Sequence, residues 1–172
     1  MTPTGAQQGV GRRLYTAEQR ERRDNTAWTL VQGILAPVQF LVCIVSALLV
    51  IRFLMTGDGY LAATASILIK TGFLYLIMIT GAIWEKVVFG QYLFAPAFFW
   101  EDVVSFGVIA LHTAYVVALL AGSMGPQALM WLALVAYAAY ALNAFQFLWK
   151  LRMARLDAAR APHSNVTQEV SA

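Results

Sequence analysis

Charged side chains are scarce in this 172-residue chain. Asp, Glu, Lys and Arg together make up 12% of the residues, whereas hydrophobic residues make up 60%. A soluble protein of this length needs a larger polar surface to face water. The composition therefore fits few soluble folds, of which a buried soluble bundle is the alternative, and it indicates a membrane protein.

Cysteine and histidine are also rare. The single cysteine, Cys43, lies in an apolar run, which excludes an intramolecular disulfide and a thiolate metal site. Of the two histidines, His163 lies in the polar tail and only His112 lies in an apolar run. A haem held by two axial histidines of one chain is therefore excluded. The sequence also contains no phosphate-binding loop and no nucleophile triad.

Four long apolar runs are present, over residues 27–54, 60–88, 99–121 and 127–149. Each reaches the roughly 20 residues that a helix needs to cross a bilayer, and a segment in lipid must pair its backbone amides internally. We therefore predict an all-α, integral membrane four-helix bundle. Residues 1–26 form a polar, basic lead-in, residues 27–150 form the four-transmembrane-helix domain, and residues 151–172 form a basic, fraying tail. The fourth helix is expected to continue into this tail for a turn or two and to fray near Pro162. Thr16 and Gln19 predict a capping box in the lead-in.

Basic residues predict the orientation of the bundle. They precede the first span and follow the fourth, and Lys86 borders the middle connection, whereas the connection 122–127 has no charge. Because Lys and Arg favour the cytoplasmic side, we predict cytoplasmic N- and C-termini. Lys70, in the second span, is expected to snorkel outward toward Asp58. The net charge of +3 indicates topology and attraction to anionic membrane lipid, and no nucleic-acid partner is expected.

Polar side chains converge in the cytoplasmic half of the predicted bundle. Glu101 and Asp102 begin the third span, and Glu85 ends the second. Amide side chains come from the lead-in and two other spans: Asn25, Gln32, Asn143 and Gln146. Neighbouring carboxyls at the edge of the hydrocarbon favour different protonation states, which gives a pair that can donate and accept a proton. The alternative is structural, because amides join membrane helices and carboxylates stabilise helix N-termini.

An aromatic connection, FGQYLFAPAFFW (residues 89–100), joins the second and third spans, and Pro96 prevents a continuous helix. One interpretation is an aromatic belt at the membrane interface. The other is a wall for a flat apolar ring system, formed by Trp84, Phe98, Phe99 and Trp100.

One face of the third span carries Glu101, Ser105, Val108 and His112. His112 lies about 16 Å deeper in the membrane than Glu101. It is either a hydrogen-bonded core histidine or an axial ligand of a magnesium or iron macrocycle.

Three segments closely resemble the vinyl bacteriochlorophyllide hydratase family of photosynthetic bacteria: RRDNTAWTLVQGILAPVQFLV (22–42), ATASILIKTGFLYLIMITGAIWEKVVFGQYLFAPAFFWEDVVS (63–105) and YALNAFQFLWKLRMARL (140–156). The resemblance covers about residues 14–156. It implies a hydro-lyase of bacteriochlorophyll synthesis in the bacterial inner, photosynthetic membrane. Such an enzyme adds water across the ring A 3-vinyl group (2-vinyl in older naming) of chlorophyllide a or 3-vinyl bacteriochlorophyllide. Residues 27–150 would be its catalytic domain.

We assign roles for this chemistry from the residues themselves. Glu101 or Glu85 is expected to donate a proton to the vinyl group, and Asp102 to orient and deprotonate water. His112 is the candidate ligand of the substrate's own magnesium, and no other cofactor is expected. The candidate substrate-binding residues are Asn25, Gln32, Trp84, Phe98, Phe99, Trp100, Asn143 and Gln146.

Two other classes of protein use the same features. A pigment carrier or assembly factor would bind chlorophyll through His112 and the aromatic connection without chemistry. A small proton-coupled transporter would use the acids and Lys70, but the sequence shows no polar path in the outer half. The sequence leaves open a homo-oligomer or an association with other pigment-synthesis enzymes.

Overall fold

The computed structural model describes residues 14–160, in which every regular element is a helix. The five helices are α1 (Ala17–Asn25), α2 (Ala27–Thr56), α3 (Tyr60–Phe89), α4 (Phe99–Leu120) and α5 (Pro126–Arg160). Helices α2 to α5 are each long and apolar enough to cross a membrane. The all-α fold with four candidate membrane spans is therefore confirmed. The fraying predicted near Pro162 and the start of the lead-in, residues 1–13, lie outside the described residues.

Local sequence signals set the helix ends. Thr16 and Gln19 form the predicted capping box at the start of α1. Thr26 is the non-helical residue between α1 and α2. Its hydroxyl caps α2 by accepting a hydrogen bond from the Trp28 backbone N–H. Gly57 and Gly90 end α2 and α3 with φ of 77° and 87°, a left-handed conformation that strains residues with a Cβ.

The spans form two helical hairpins. Helix α2 packs on α3, and α4 packs on α5; the hairpins meet through α2 with α5 and α3 with α4. Their shared core includes Val50, Ile67, Val108, Tyr115 and Met130. Large apolar side chains such as Leu48, Met55 and Leu61 are exposed on the outside of the bundle. In a bilayer this surface contacts lipid, which removes the cost of exposing it.

Both ends of the described chain reach the same end of the bundle. The Tyr15 ring lies 6.4 Å from the Phe98 ring, and Lys150 is ion-paired with Glu101. We call this the basic end; it carries the connection 90–98. The opposite, turn end carries the connections 57–59 and 121–125. The shared end agrees with termini on one side, and the cytoplasmic assignment of that side stays a prediction.

Lys70 does not snorkel toward Asp58, so that prediction was wrong. Its side chain is fully buried, and Nζ lies 3.8 Å from the centre of the Tyr140 ring on α5. The reason is helical spacing. Lys70 lies on the same face of α3 as Ile67 and Leu74, and this face packs against the other helices.

Candidate active site

Two carboxyl groups meet at the basic end. Glu85 lies in the last turns of α3 and Asp102 in the first turn of α4, and their side chains are within hydrogen-bonding reach of each other. The residues are 5% and 3% exposed. Two negative charges this close would repel strongly in a medium of low dielectric constant, so the geometry favours a proton shared between the two carboxyls.

The connection 90–98 supplies backbone donors to both carboxyls. The Ala95 N–H donates to Glu85 Oε2 (3.2 Å), and the Phe94 N–H donates to Asp102 Oδ2 (2.7 Å). Phe94 has φ of 57°, an unfavourable conformation for a residue with a side chain. Pro96 follows and restricts Ala95 to extended conformations. The connection therefore turns two adjacent amides toward the carboxyl pair at the cost of backbone strain.

Glu101 is held apart from this pair by a cation. The Lys150 ammonium on α5 donates to Glu101 Oε2 at 2.6 Å, and it also lies 5.1 Å from the centre of the Phe98 ring. The Lys150 and Glu101 side chains are 27% and 11% exposed. The third carboxylate is thus neutralised by α5, while Glu85 and Asp102 face each other.

Two of the predicted amide residues join helices near the carboxyls. Asn143 Nδ2 donates to Ser105 Oγ (2.7 Å), and the Ser105 hydroxyl donates to the Glu101 carbonyl oxygen (2.8 Å). Gln32 Nε2 donates to the Thr80 hydroxyl (2.7 Å), which joins α2 to α3. Both amides therefore tie the spans together at the basic end.

The other two amide residues lie apart from the carboxyls. Asn25 is exposed because α1 ends there, and the break at Thr26 takes it out of the helical stripe that continues through Gln32. Gln146 lies on the exposed face of α5. The structure thus does not place either side chain beside Glu85 and Asp102.

The predicted aromatic wall separates into an inner and an outer group. Trp84 and Phe98 pack with three other rings: Tyr15, Phe89 and Phe147. Trp84 also donates its indole N–H to the Thr29 hydroxyl at 2.9 Å. Burial raises the pKa of Tyr15, which keeps its phenol neutral. Phe98 is therefore a core residue beneath Lys150.

The outer aromatic group faces away from the bundle. Phe99 and Trp100 are 43% and 71% exposed. The Phe99 ring contacts both Trp100 and Phe94, and Phe94 stacks on Phe106. These four side chains, which we call the outer aromatic surface, cover the lipid side of the connection whose amides bind the carboxyl pair.

His112 lies deeper, as its sequence position predicts. Its Nδ1 is 2.8 Å from the Val108 carbonyl oxygen, which requires Nδ1–H to be the donor in the neutral ring. In residues 14–160, Nε2 has no hydrogen-bond partner. A histidine that binds a metal commonly donates its other N–H to a carbonyl in this way. The described chain contains no group of three His, Cys, Asp or Glu side chains arranged around a metal.

Sequence reasoning missed the two features that organise the carboxyls. Lys150 was interpreted only as a topology signal, although a lysine at the end of the fourth span is placed to reach the start of the third. The backbone donors of Phe94 and Ala95 have no side-chain signature. Pro96 marked only an interruption of the helix there.

The comparisons with known proteins agree with the sequence resemblance. Residues 15–153 match the family model described as 2-vinyl bacteriochlorophyllide hydratase (BCHF). The chain belongs to this family. The matched region contains Glu85, Glu101, Asp102 and Lys150.

Two curated relatives carry the same name as the hydratase family. The 2-vinyl bacteriochlorophyllide hydratase of Cereibacter sphaeroides is 74% identical over 147 residues, covering 85% of this chain and 91% of the relative. The protein of that name from Rhodobacter capsulatus is 64% identical over 167 residues, covering 97% of both chains. No solved structure matches this member of the hydratase family.

Proposed function

We propose that the protein hydrates the ring A 3-vinyl group of chlorophyllide a or 3-vinyl bacteriochlorophyllide, giving the 3-(1-hydroxyethyl) product of bacteriochlorophyll synthesis. The observation that carries this proposal is the contact between Glu85 and Asp102, each held by a backbone N–H. The names of both relatives support it. The site of action is the bacterial inner membrane, where the pigment and the four apolar helices are both soluble.

Hydration of a vinyl group needs one proton donor and one proton acceptor. The acid protonates the terminal vinyl carbon, and the positive charge forms on the carbon attached to the macrocycle, whose conjugation spreads it. Water then bonds to that carbon and gives one proton to the base. The sum is addition of one water, so no redox cofactor is proposed. Transfer of the gained proton between the two touching carboxyls restores the starting state.

Hydrogen-bond lengths suggest which carboxyl has which role. The bond from Phe94 to Asp102 is 2.7 Å and the bond from Ala95 to Glu85 is 3.2 Å. Bonds to an ionised acceptor are shorter than bonds to a neutral one. We therefore assign the proton to Glu85 as the acid and the negative charge to Asp102 as the base. Glu101 is already engaged as an anion by Lys150, so we assign it a positioning role.

The negative charge at this end also favours the reaction. In this proposal Asp102 lies beside the positive charge that develops on the macrocycle, and a fixed charge in a site of low dielectric constant stabilises a transition state strongly. The Glu101–Lys150 pair is neutral overall and is assigned no such role. The outer aromatic surface offers flat rings on the lipid side, from which an apolar pigment reaches the connection.

His112 remains the candidate ligand of the substrate's magnesium. Its Nδ1–H is engaged by the Val108 carbonyl, so the lone pair of Nε2 is the free coordinating group of the neutral ring. The magnesium belongs to the pigment, and the proposed acid–base steps involve only Glu85, Asp102 and water.

The test is an assay of the purified protein in detergent with the 3-vinyl pigment. We expect the product to gain the mass of one water, and oxygen from labelled water to appear in the hydroxyethyl group. Stoichiometric pigment binding with no change in mass would contradict the hydratase and favour the carrier. A transporter would instead show pigment-independent proton movement in vesicles.

A further inference from the structure

A second polar cluster lies near the middle of the bundle, away from the carboxyls. One residue of each span lies at this level: Gln39 on α2, Lys70 on α3, His112 on α4 and Tyr140 on α5. Lys70 contacts the Tyr140 ring, and Gln39 lies midway along α2 between the residues that bond Thr80 and Ser66 of α3. We call the four residues the Lys70 cluster. The first three residues are at most 1% exposed. Across the described chain, Lys70 Nζ, both amide atoms of Gln39 and His112 Nε2 have no hydrogen-bond partner. The reaction proposed above leaves Lys70 and Gln39 without a role.

Hydrogen bonds between helices fix the level of this cluster. On the side of the turn end, Ser46 Oγ lies 2.7 Å from Ser66 Oγ and 2.5 Å from Tyr137 Oη. Lys70 is one turn further along α3 from Ser66, and Tyr140 is about one turn further along α5 from Tyr137. On the side of the basic end, the Asn143–Ser105 bond closes the layer. The cluster therefore lies between two layers of paired groups.

A buried ammonium group requires a partner, since an isolated charge is costly inside a protein or a membrane. The Tyr140 ring faces one side of Lys70 Nζ and leaves N–H donors unused. The carboxyls of the described spans are engaged elsewhere: Glu85 and Asp102 with each other, and Glu101 with Lys150. Within residues 14–160, Lys70 thus forms no ion pair.

We propose that the Lys70 cluster binds the carboxylate of the substrate's propionate side chain. A chlorophyllide is a free acid, so it brings one carboxylate in addition to the vinyl group that reacts. Lys70 supplies a cation and Gln39 an amide donor, a combination that recognises a carboxylate. An ion pair is far less costly to bury than the ammonium alone. This proposal rests on the proposed function, because it names a second contact of the same substrate.

The distance between the two sites suits one substrate molecule. Asp102 and His112 are ten residues apart on α4, a rise of about 15 Å. This is comparable with the width of a tetrapyrrole. Lys70 belongs to one hairpin and Tyr140 to the other, so both clusters lie at the junction of the hairpins. A flat macrocycle placed at that junction would present its vinyl group to Glu85 and Asp102 and its acid group to Lys70. Its central magnesium would then lie between the two clusters, so this orientation replaces the magnesium contact proposed for His112.

The test compares the free-acid pigment with its propionate methyl ester. The dissociation constants of both are measured by absorbance titration, with the wild type and with Lys70→Met. We expect the wild type to bind the acid about 30-fold or more tightly than the ester, the lower end of the effect of removing one partner of a buried charge pair. Lys70→Met should bind the two pigments with similar affinity.

Arg52→Met is the matched control for loss of a positive charge. Arg52 is an exposed cation near the turn end of α2, and its removal should leave the preference for the acid unchanged. Gln39→Met keeps the side-chain volume and should reduce the preference partly. It also tests the site if Lys70→Met does not fold.

Two results would overturn the carboxylate site. One is equal affinity of the wild type for acid and ester, and the other is a Lys70→Met variant that keeps the wild-type preference. The two proposals can also fail separately. If the wild type adds no water to either pigment, yet prefers the acid and loses that preference in Lys70→Met, the hydratase is wrong and the site stands.

Discussion

The carboxyl pair and the Lys70 cluster are both buried and polar, but they differ in how their atoms are paired. At the basic end, Phe94 and Ala95 donate to Asp102 and Glu85. In the Lys70 cluster, Nζ of Lys70 and the Gln39 amide have no hydrogen-bond partner among the residues described. The first region has its polar geometry fixed by the protein, as acid–base chemistry requires. The second region has a cation and an amide that remain available to bind a ligand.

The two regions also differ in how the chain builds them. Glu85, Phe94, Ala95 and Asp102 come from one helix end, one connection and the next helix start. The Lys70 cluster takes one residue from each of the four spans. The carboxyl pair therefore depends on local backbone geometry, whereas the Lys70 cluster depends on how the two hairpins pack.

The largest effect is expected from breaking the carboxyl pair. Glu85→Gln and Asp102→Asn keep the side-chain size but remove the acid or the base. Each should lower kcat by about 10²- to 10⁴-fold, the usual contribution of a general acid or base. Single-turnover rates measured with saturating pigment would show this loss directly.

Glu101→Gln is the matched control for that experiment. Glu101 is next to Asp102 in the chain, but it pairs with Lys150 and does not face Glu85. Glu101→Gln should therefore lower kcat clearly less than Glu85→Gln and Asp102→Asn do. Equal losses in all three, or wild-type rates in Glu85→Gln and Asp102→Asn, would contradict the assignment of the pair.

A medium effect is expected at Phe94, where the backbone of the connection is strained. Phe94→Gly and Phe94→Ala both remove the ring contacts with Phe99 and Phe106. Only alanine keeps a Cβ in the left-handed conformation, which costs about 1 kcal/mol or more relative to glycine. The glycine variant should therefore be more stable than the alanine variant by about 1 kcal/mol in thermal or denaturant unfolding. The opposite order would show that φ at Phe94 is not the source of strain.

Much of the fold could be predicted because a membrane-spanning helix is recognisable in the sequence from the length of its apolar run. The predicted spans 27–54, 60–88 and 99–121 lie within two residues of α2, α3 and α4 at each end. The fourth apolar run ends at 149, and α5 continues past it to Arg160, in agreement with the turn or two of helix predicted for the start of the tail, because its polar C-terminal turns still carry good helix formers. The end of an apolar run predicts where the helix leaves the lipid, but the helix itself can continue beyond that residue.

The candidate site was predicted only in part. The acidic residues were identifiable because carboxyls are costly near lipid. Which carboxyls meet could not be read from the sequence, since adjacency in the chain favoured Glu101 with Asp102 and helix packing pairs Asp102 with Glu85. Lys70 was assigned the wrong direction for a related reason. Its charge suggested the surface, but its spacing from Ile67 and Leu74 placed it in the core.

The smallest expected effect is a change in stability, and it compares a hydrogen-bonded side-chain amide with an unpaired one on the same helix. Gln32 and Gln39 are seven residues apart on α2, and both face other spans. Gln32→Leu breaks the bond to Thr80 and should destabilise the protein by about 0.6 kcal/mol, the average for hydrogen bonds between membrane helices. The loss stays small because the Thr80 hydroxyl still reaches the Leu76 carbonyl.

Gln39→Leu is the matching change in the Lys70 cluster, and it should have the opposite sign. In the described part of the chain, the Gln39 amide is buried and unpaired, so removing it relieves a desolvation cost. We expect stability without pigment to stay equal or rise by up to about 1 kcal/mol, measured by thermal unfolding in detergent. Equal destabilisation by both substitutions would mean that Gln39 is already satisfied in the folded protein. The contrast between a completed and an open polar cluster would then be lost.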